Sequence, residues 1–191
     1  HDKLRPRIAD TARRLWDIYL IFTIIIGVLL YLFGMSPFDA LCHALTTLSS
    51  GGYSTKQASI GYWSSPFIHY TIIIGMIIAG INFSLIYFSF SQKSIKKFFK
   101  DEELRVYLIT IAIFACITGI GLCIFNNCNT LSAIENRFRS ALFHVVSIMT
   151  TTGFATEDYL QWPTVLWFLI VLLLCTGASA GSTSGGIKLI R

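Results

Sequence analysis

Charge is what this sequence has least of: 13% of its 191 residues are Asp, Glu, Lys or Arg, where a soluble domain carries about 25%. So little polarity cannot coat a water-soluble body of this size, and a soluble enzyme is excluded. Disorder is excluded from the other side, because 54% of the residues are hydrophobic and the mean hydropathy is +0.65, whereas disordered chains are poor in apolar residues. Cysteine pairs are missing too. Cys42, Cys116, Cys123, Cys128 and Cys175 include no Cys-x-x-Cys, and their odd number argues against a disulfide framework. Four lie in apolar segments as small hydrophobes, and Cys128 alone is expected to be exposed. No catalytic triad or paired-carboxylate pattern stands out. Between Leu20 and Phe90 the ionisable residues are Asp39, His43, Lys56 and His69, all near loops or segment ends, which disfavours a membrane enzyme or a substrate carrier. The chain starts at His1 without a signal peptide and stops just after an apolar segment, the pattern expected of a piece of a longer polypeptide.

What is present is an alternation of apolar runs and basic clusters. Trp16–Met35, Phe67–Phe90 and Val106–Phe125 are each long enough, at about 1.5 Å per residue, to cross a hydrocarbon core of about 30 Å. A fourth run, Trp162–Thr176, is short and passes into the glycine-rich stretch Gly177–Gly186. Net charge is +5, and 12 of the 15 basic residues fall in three clusters beside these runs: Lys3, Arg5, Arg7, Arg13 and Arg14; Lys93, Lys96, Lys97, Lys100 and Arg105; Lys188 and Arg191. Basic residues beside spans mark the cytoplasmic side, so residues 1–15, 91–105 and 187–191 are expected there. The clusters face membrane lipid, and nucleic acid is not an expected partner. Segments 39–49 and 135–149 then lie on the outer side as helices of about three turns, each followed by a polar loop. This reads as two re-entrant pore loops, since non-helical backbone at membrane depth is tolerated where it lines a water-filled path or is buried in protein.

An offset of 101 residues superposes Ala40 on Ala141, Leu41 on Leu142, His43 on His144, Gly52 on Gly153, Thr55 on Thr156, Phe67 on Phe168, Ala79 on Ala180 and Gly80 on Gly181. The same order of span, short helix, polar loop and span recurs at that offset. Residues 1–95 and 96–191 are therefore expected to be two pore repeats in one orientation. The loops 50–55 and 150–156 each combine hydroxyl residues, glycine and an aromatic. Backbone carbonyls pointing at a common axis can replace the hydration shell of a monovalent cation, and Gly52 and Gly153 can take the positive φ that this requires. Tyr53 and Phe154 are expected to pack outward and hold the loop's diameter. The carboxyl ends of the short helices would aim negative dipole at a cation. His43 and His144 read as hydrogen-bonded members of the short helices rather than metal ligands. Glu157 and Asp158 are expected outside, where they could concentrate cations. In Gly177–Gly186 the spacing of Gly181 and Gly186 imitates a phosphate loop, but Ile187 precedes Lys188 and no strand precedes the motif, so nucleotide binding is rejected. A small-residue packing motif is the plain alternative there.

Leu45–Thr55, Ile148–Thr156 and Ala180–Lys188 resemble the corresponding stretches of the bacterial Trk-type potassium transporters, membrane subunits of the superfamily that also includes Ktr and fungal Trk proteins. That family builds one pore from four span–pore loop–span repeats, and the two repeats here resemble the second and third. The resemblance implies an all-α integral membrane fold, half of a pseudo-fourfold potassium pathway, in the bacterial cytoplasmic membrane. It implies filter carbonyls at Ser50, Gly51, Gly52, Tyr53, Thr151, Thr152, Gly153 and Phe154. It also makes Gly177, Ala180, Gly181, Ser182, Thr183, Gly185 and Gly186 parts of an intramembrane gating loop. Potassium is then the transported ligand, with no covalently bound cofactor. The implied partners are a second copy of the chain and a cytoplasmic regulatory subunit that binds nucleotides of the NAD, ATP or ADP type, with the linker Lys93–Arg105 as part of that contact. A sodium-coupled Ktr-type subunit and a non-transporting scaffold are the alternatives.

Overall fold

A computed structural model describes residues 4–91, 98, 100–128, 130–175 and 177–186. Of the expected cytoplasmic segments, residues 1–3, 92–97, 99 and 187–191 therefore lie outside the described residues, and with them Lys3, Lys93, Lys96, Lys97, Lys188 and Arg191. All regular structure among the described residues is helical: α1 (Leu4–Leu32), α2 (Pro37–Leu48), α3 (Pro66–Ala79), α4 (Phe83–Ser91), α5 (Glu102–Phe125), α6 (Leu131–Met149) and α7 (Thr164–Cys175), with short 3₁₀ turns at Ser59–Tyr62 and Tyr159–Gln161.

Local chemistry sets these boundaries. The chain leaves α1 through Gly34 at φ +109°, with the Met35 amide bonded back to the Leu30 carbonyl at 3.1 Å. Ser36 then caps α2 by accepting from the Asp39 amide at 3.1 Å, ahead of Pro37 in the first turn, where a missing N–H is harmless. Pro66 starts α3 in the same way. On α5 the Asp101 carboxylate caps the Leu104 amide at 3.0 Å. The two halves join where α3 packs against α6, and Tyr70 Oη donates to Glu135 Oε1 there at 2.8 Å.

The distribution of polarity is that of a body in lipid. The exposed side chains of α5 include Val106, Ile109, Ile113, Ile117, Ile120 and Ile124, a continuous apolar stripe at helical spacing. The interior instead holds His43, Thr47, Thr71, Thr118, His144, Ser147, Thr150 and Thr152. In water such an exposed apolar surface is a liability; in hydrocarbon it is the required exterior, and the hydroxyls inside find partners in their own helices' carbonyls, as Thr118 does at Phe114.

Several expectations are corrected. Phe67–Phe90 is not one straight span: α3 and α4 meet at 92°. Gly80 ends α3, and Asn82 starts α4 afresh, its Oδ1 accepting from the Ser84 amide at 2.9 Å and its carbonyl from the Ile86 amide at 3.2 Å. Among the described residues two helices, at Ala12–Leu32 and Glu102–Phe125, are long and apolar enough to cross alone, the bent pair makes a third, and Thr164–Leu174 is a shorter apolar helix. The second short helix is longer than expected, running over 19 residues from Leu131. The added turn is residues 131–134, and the turn after it carries Glu135 and Asn136, both bonded to Arg139 at 2.8–3.0 Å and suited to water rather than hydrocarbon. Cys128 is half-buried, while Cys116 is exposed on the lipid-facing side of α5.

Candidate functional site

The two loops have the same backbone, residue for residue at the 101 offset. Ser49 and Thr150 close the short helices in a right-handed conformation. Ser50 and Thr151 follow at φ +53° and +56°, and Gly52 and Gly153 at +65° and +83°. Alternating the sign of φ turns successive peptide planes the same way, so neighbouring carbonyls face one side instead of alternating as in a strand. The amides of Gly51 and Thr152 bond to the Thr46 and Ser147 carbonyls at 2.9 and 2.8 Å. The hydroxyls of those same residues donate to the carbonyls of Tyr53 at 3.0 Å and Phe154 at 2.7 Å. Each loop is thus strapped at both ends to the last turn of its own helix. Within the described residues, the carbonyls of Ser50, Gly51, Gly52, Thr151, Thr152 and Gly153 accept no hydrogen bond.

Sequence reasoning anticipated positive φ at the glycines but missed Ser50 and Thr151, since a β-branched residue rarely adopts it and holding one there costs about 1–3 kcal/mol. It also missed Thr46 and Ser147, although two hydroxyl residues at one repeat position were the available signal. Ser147 is fully buried, so Ser147→Ala leaves the Phe154 carbonyl without its donor, at a cost of about 1–3 kcal/mol. The expected result is retained membrane insertion with weakened discrimination between potassium and sodium in a competition assay, restored by Ser147→Thr.

The loops meet backbone to backbone. A Cβ on Gly52 would lie 1.8 Å from the Thr152 carbonyl oxygen. Further out, Gly61 donates to the Ala155 carbonyl at 3.1 Å, and the Ala155 amide donates to Ser59 Oγ at 3.3 Å. Phe154 is 2% exposed and stacks on the His43 ring at 5.8 Å, as the outward-packing expectation requires. Tyr53 is 79% exposed among the described residues. The ring contact that buries Phe154 comes from the first repeat's short helix, so the two aromatics do not share an environment.

The glycine-rich segment lies in the break between α3 and α4. The Ser179 amide bonds to the Gly80 carbonyl at 3.1 Å, and both the amide and hydroxyl of Thr183 reach the Ala79 carbonyl at 3.2 and 3.1 Å. In return, the Phe83 amide bonds to the Gly181 carbonyl at 3.4 Å. Gly181 is at φ +72°, with the Asn82 side chain 3.0 Å from where a Cβ would stand. The same segment touches both loops: Thr183 Oγ1 lies 3.1 Å from Ser50 Oγ, and the Gly185 amide donates to Thr151 Oγ1 at 2.7 Å. Ser182 bonds within the segment, to the Ser179 carbonyl at 2.6 Å and to Ser184 Oγ at 2.7 Å. Its two ends close on each other, with Gly177 Cα 3.3 Å from a Cβ on Gly186. The Ala180 amide donates to the Glu103 carboxylate of α5.

The histidines and acids around the loops are braces. His43 Nδ1 lies 2.6 Å from the Asp39 carbonyl and its Nε2 2.9 Å from Ser54 Oγ; His144 repeats this with the Ser140 and Glu157 carbonyls at 2.9 and 3.1 Å. No metal-binding cluster of His, Cys, Asp or Glu occurs among the described residues. Glu157 is not a free outer charge: it binds Arg137 at 3.2 Å, Ser140 at 2.5 Å and Trp162 Nε1 at 3.1 Å. At the equivalent position of the first repeat stands Lys56, paired with Asp39 at 3.7 Å. Asp158 caps the Leu160 amide.

Residues 1–191 match the family of TrkH cation transport proteins. The chain is 40% identical to the Trk system potassium uptake protein TrkH of Salmonella typhimurium and to that of Escherichia coli, covering 100% of this chain and 39% of each relative. It is similar in structure to the crystal structure of the potassium transporter TrkH from Vibrio parahaemolyticus, at a TM-score of 0.90 and 37% identity, over 97% of this chain and 39% of that one. The chain therefore spans well under half the length of these relatives. Its all-helical fold, its lipid-facing stripe and the match along its whole length agree: this chain belongs to the TrkH family of cation transport proteins, a family of membrane transporters and not of enzymes.

Proposed function

We propose that these residues form two of the walls of a potassium uptake pathway in the bacterial cytoplasmic membrane, with residues 1–95 and 96–191 as successive pore repeats. The observation that carries the reading is the matched backbone of the two loops, with positive φ at Ser50 and Gly52 and again at Thr151 and Gly153. A dehydrating potassium ion meets the carbonyls of Ser50–Tyr53 and Thr151–Phe154, which supply partial charge without a carboxylate that would hold the ion too tightly. The carboxyl ends of α2 and α6 add about half an elementary charge each at low exposure to water. No covalently bound cofactor enters this reading; potassium is the cargo and its own ligand set is backbone oxygen.

Beneath the loops, Gly177–Gly186 is the gate. Its contacts with Ser50 and Thr151, one in each loop, support that reading. The names of the relatives refer to a Trk system, which supports an assembly with other subunits: a second copy of the membrane protein, and a cytoplasmic nucleotide-binding subunit acting on the basic face that includes Lys100 and Arg105. The basic clusters orient residues 1–15, 91–105 and 187–191 to the cytoplasm.

The test is rubidium uptake by the full-length protein in cells lacking their own potassium uptake. Potassium-competed uptake by the parent that falls, or admits sodium, in Gly153→Ser at equal membrane amount supports the filter. Equally selective uptake in that variant rejects it, and no uptake by the parent returns the reading to a scaffold.

A further inference from the structure

The glycine-rich segment is tied to a charged group on a helix outside the two loops. The Ala180 amide donates to the carboxylate of Glu103, which stands half-buried in the first turn of α5. Asp101 caps that turn by accepting from the Leu104 amide. Among the described residues no lysine or arginine pairs with Glu103. A carboxylate acceptor makes a hydrogen bond about twice as strong as a neutral one, so this contact outweighs any single one of the segment's amide and hydroxyl contacts.

One turn further along the same face of α5, fully buried Tyr107 donates to the Ile77 carbonyl at 3.3 Å. Its hydroxyl stands 2.2 Å from where a Cβ on Gly80 would be. Residues four apart share a helix face. That face therefore touches both interrupted spans, the end of α3 through the Tyr107 bond to Ile77 and its packing on Gly80, and the glycine-rich segment through the Glu103 bond to Ala180. It also begins immediately after the basic linker.

We infer that Glu103 is a positioning residue that latches the glycine-rich segment under the filter through the Ala180 N–H, so that displacing the first turn of α5 releases the segment. The latch rests on the gate reading above. Ala180 and Ser179 sit on the limb that Glu103 holds, whereas Thr183 and Gly185 are held by Ala79 and Thr151. Losing the carboxylate therefore leaves the first limb with only its neutral backbone bonds, from Ser179 to Gly80 and from Phe83 to Gly181, and does not touch the bonds of the second.

The experiment uses the full-length protein in cells lacking the cytoplasmic partner, and compares Glu103→Ala with Glu103→Gln. Two readouts are taken at equal membrane amount: rubidium uptake, and the rate at which a cationic thiol reagent applied from the cytoplasm modifies Ser182→Cys in a background without other cysteines. Glu103→Ala is expected to raise partner-independent uptake roughly tenfold, the size of losing one hydrogen bond to a charged acceptor, and to speed modification in parallel. Glu103→Gln keeps an acceptor oxygen and is expected to fall between it and the parent. Parent-like uptake and modification in Glu103→Ala overturn the latch, as does a loss of uptake with no change in modification rate, which marks a purely structural residue. If complete modification of Ser182→Cys leaves uptake unaltered, the gate reading itself fails, a result distinct from failure of the latch alone.

Discussion

Gly52→Ala is expected to reduce rubidium uptake by more than tenfold, and more severely than Gly153→Ser. Two effects act on Gly52 together. Its φ of +65° is unfavourable for any residue with a Cβ, by about 1–2 kcal/mol. In addition, the new Cβ would stand 1.8 Å from the Thr152 carbonyl oxygen and 2.9 Å from its carbonyl carbon. Both are backbone atoms of the neighbouring loop, fixed by the Thr152 amide bond to Ser147 and by the hydroxyl pair of Thr150 and Thr152 at 2.8 Å. No side-chain rotation relieves the clash, so the two loops must separate. Gly153 shares the positive φ, but a Cβ there meets nothing within 4 Å among the described residues. Uptake and potassium–sodium competition at matched membrane amounts check the ranking. If both glycine variants lose the same activity, the contact between the loops is not what positions them.

Gly80→Ala is expected to lower the folded-to-unfolded ratio by about five- to a hundredfold, and Tyr107→Phe is expected to recover part of that loss. Gly80 has φ −79° and ψ −8°, which alanine adopts freely, so conformation is not the obstacle. Packing is. The added methyl would meet Tyr107 Oη at 2.2 Å, the ring carbon that bears it at 2.8 Å, and the Thr150 methyl at 3.1 Å. Tyr107 is fully enclosed and cannot retreat without displacing the α5 face that runs to Glu103. Overpacking of this kind costs about 1–3 kcal/mol, which is the fold-change quoted. Removing the hydroxyl deletes the nearest atom and sacrifices one hydrogen bond of 3.3 Å, so the double variant should be more stable than the sum of the single effects. Detergent-solubilised unfolding midpoints of the four proteins measure this coupling. Strict additivity would mean that Gly80 is not held against Tyr107.

Much of the site was legible in the sequence because it is local. A glycine four residues past the end of a short helix, repeated at one offset, points to positive φ, and Gly52 and Gly153 have it. Phe154 read as an outward-packing ring and is one. Tyr53 read the same way and is 79% exposed in this chain, since a side chain's burial depends on what stands opposite, which its own segment does not record. Thr46 and Ser147 escaped attention for a related reason: a hydroxyl in a helix usually bonds to its own preceding turn, as Thr46 also does at the Cys42 carbonyl. Its second partner lies seven residues away across the helix end.

Composition and hydropathy alone determined that this protein is helical and lies in a membrane, since 13% charge leaves no other solvent for so much apolar surface. The 101-residue offset marked which loop residues share a backbone conformation. The break in the second span was decided elsewhere. Phe67–Phe90 is apolar through Gly80, Ile81 and Asn82, and Ala79 and Gly80 even align with Ala180 and Gly181, yet nothing in the local pattern demands a bend of 92°. The peptide groups freed at the break are satisfied by residues about 100 positions away, at Ser179, Gly181 and Thr183. In a hydrocarbon environment an open helix is stable only with such partners. They exist only once the two halves of the chain have packed together.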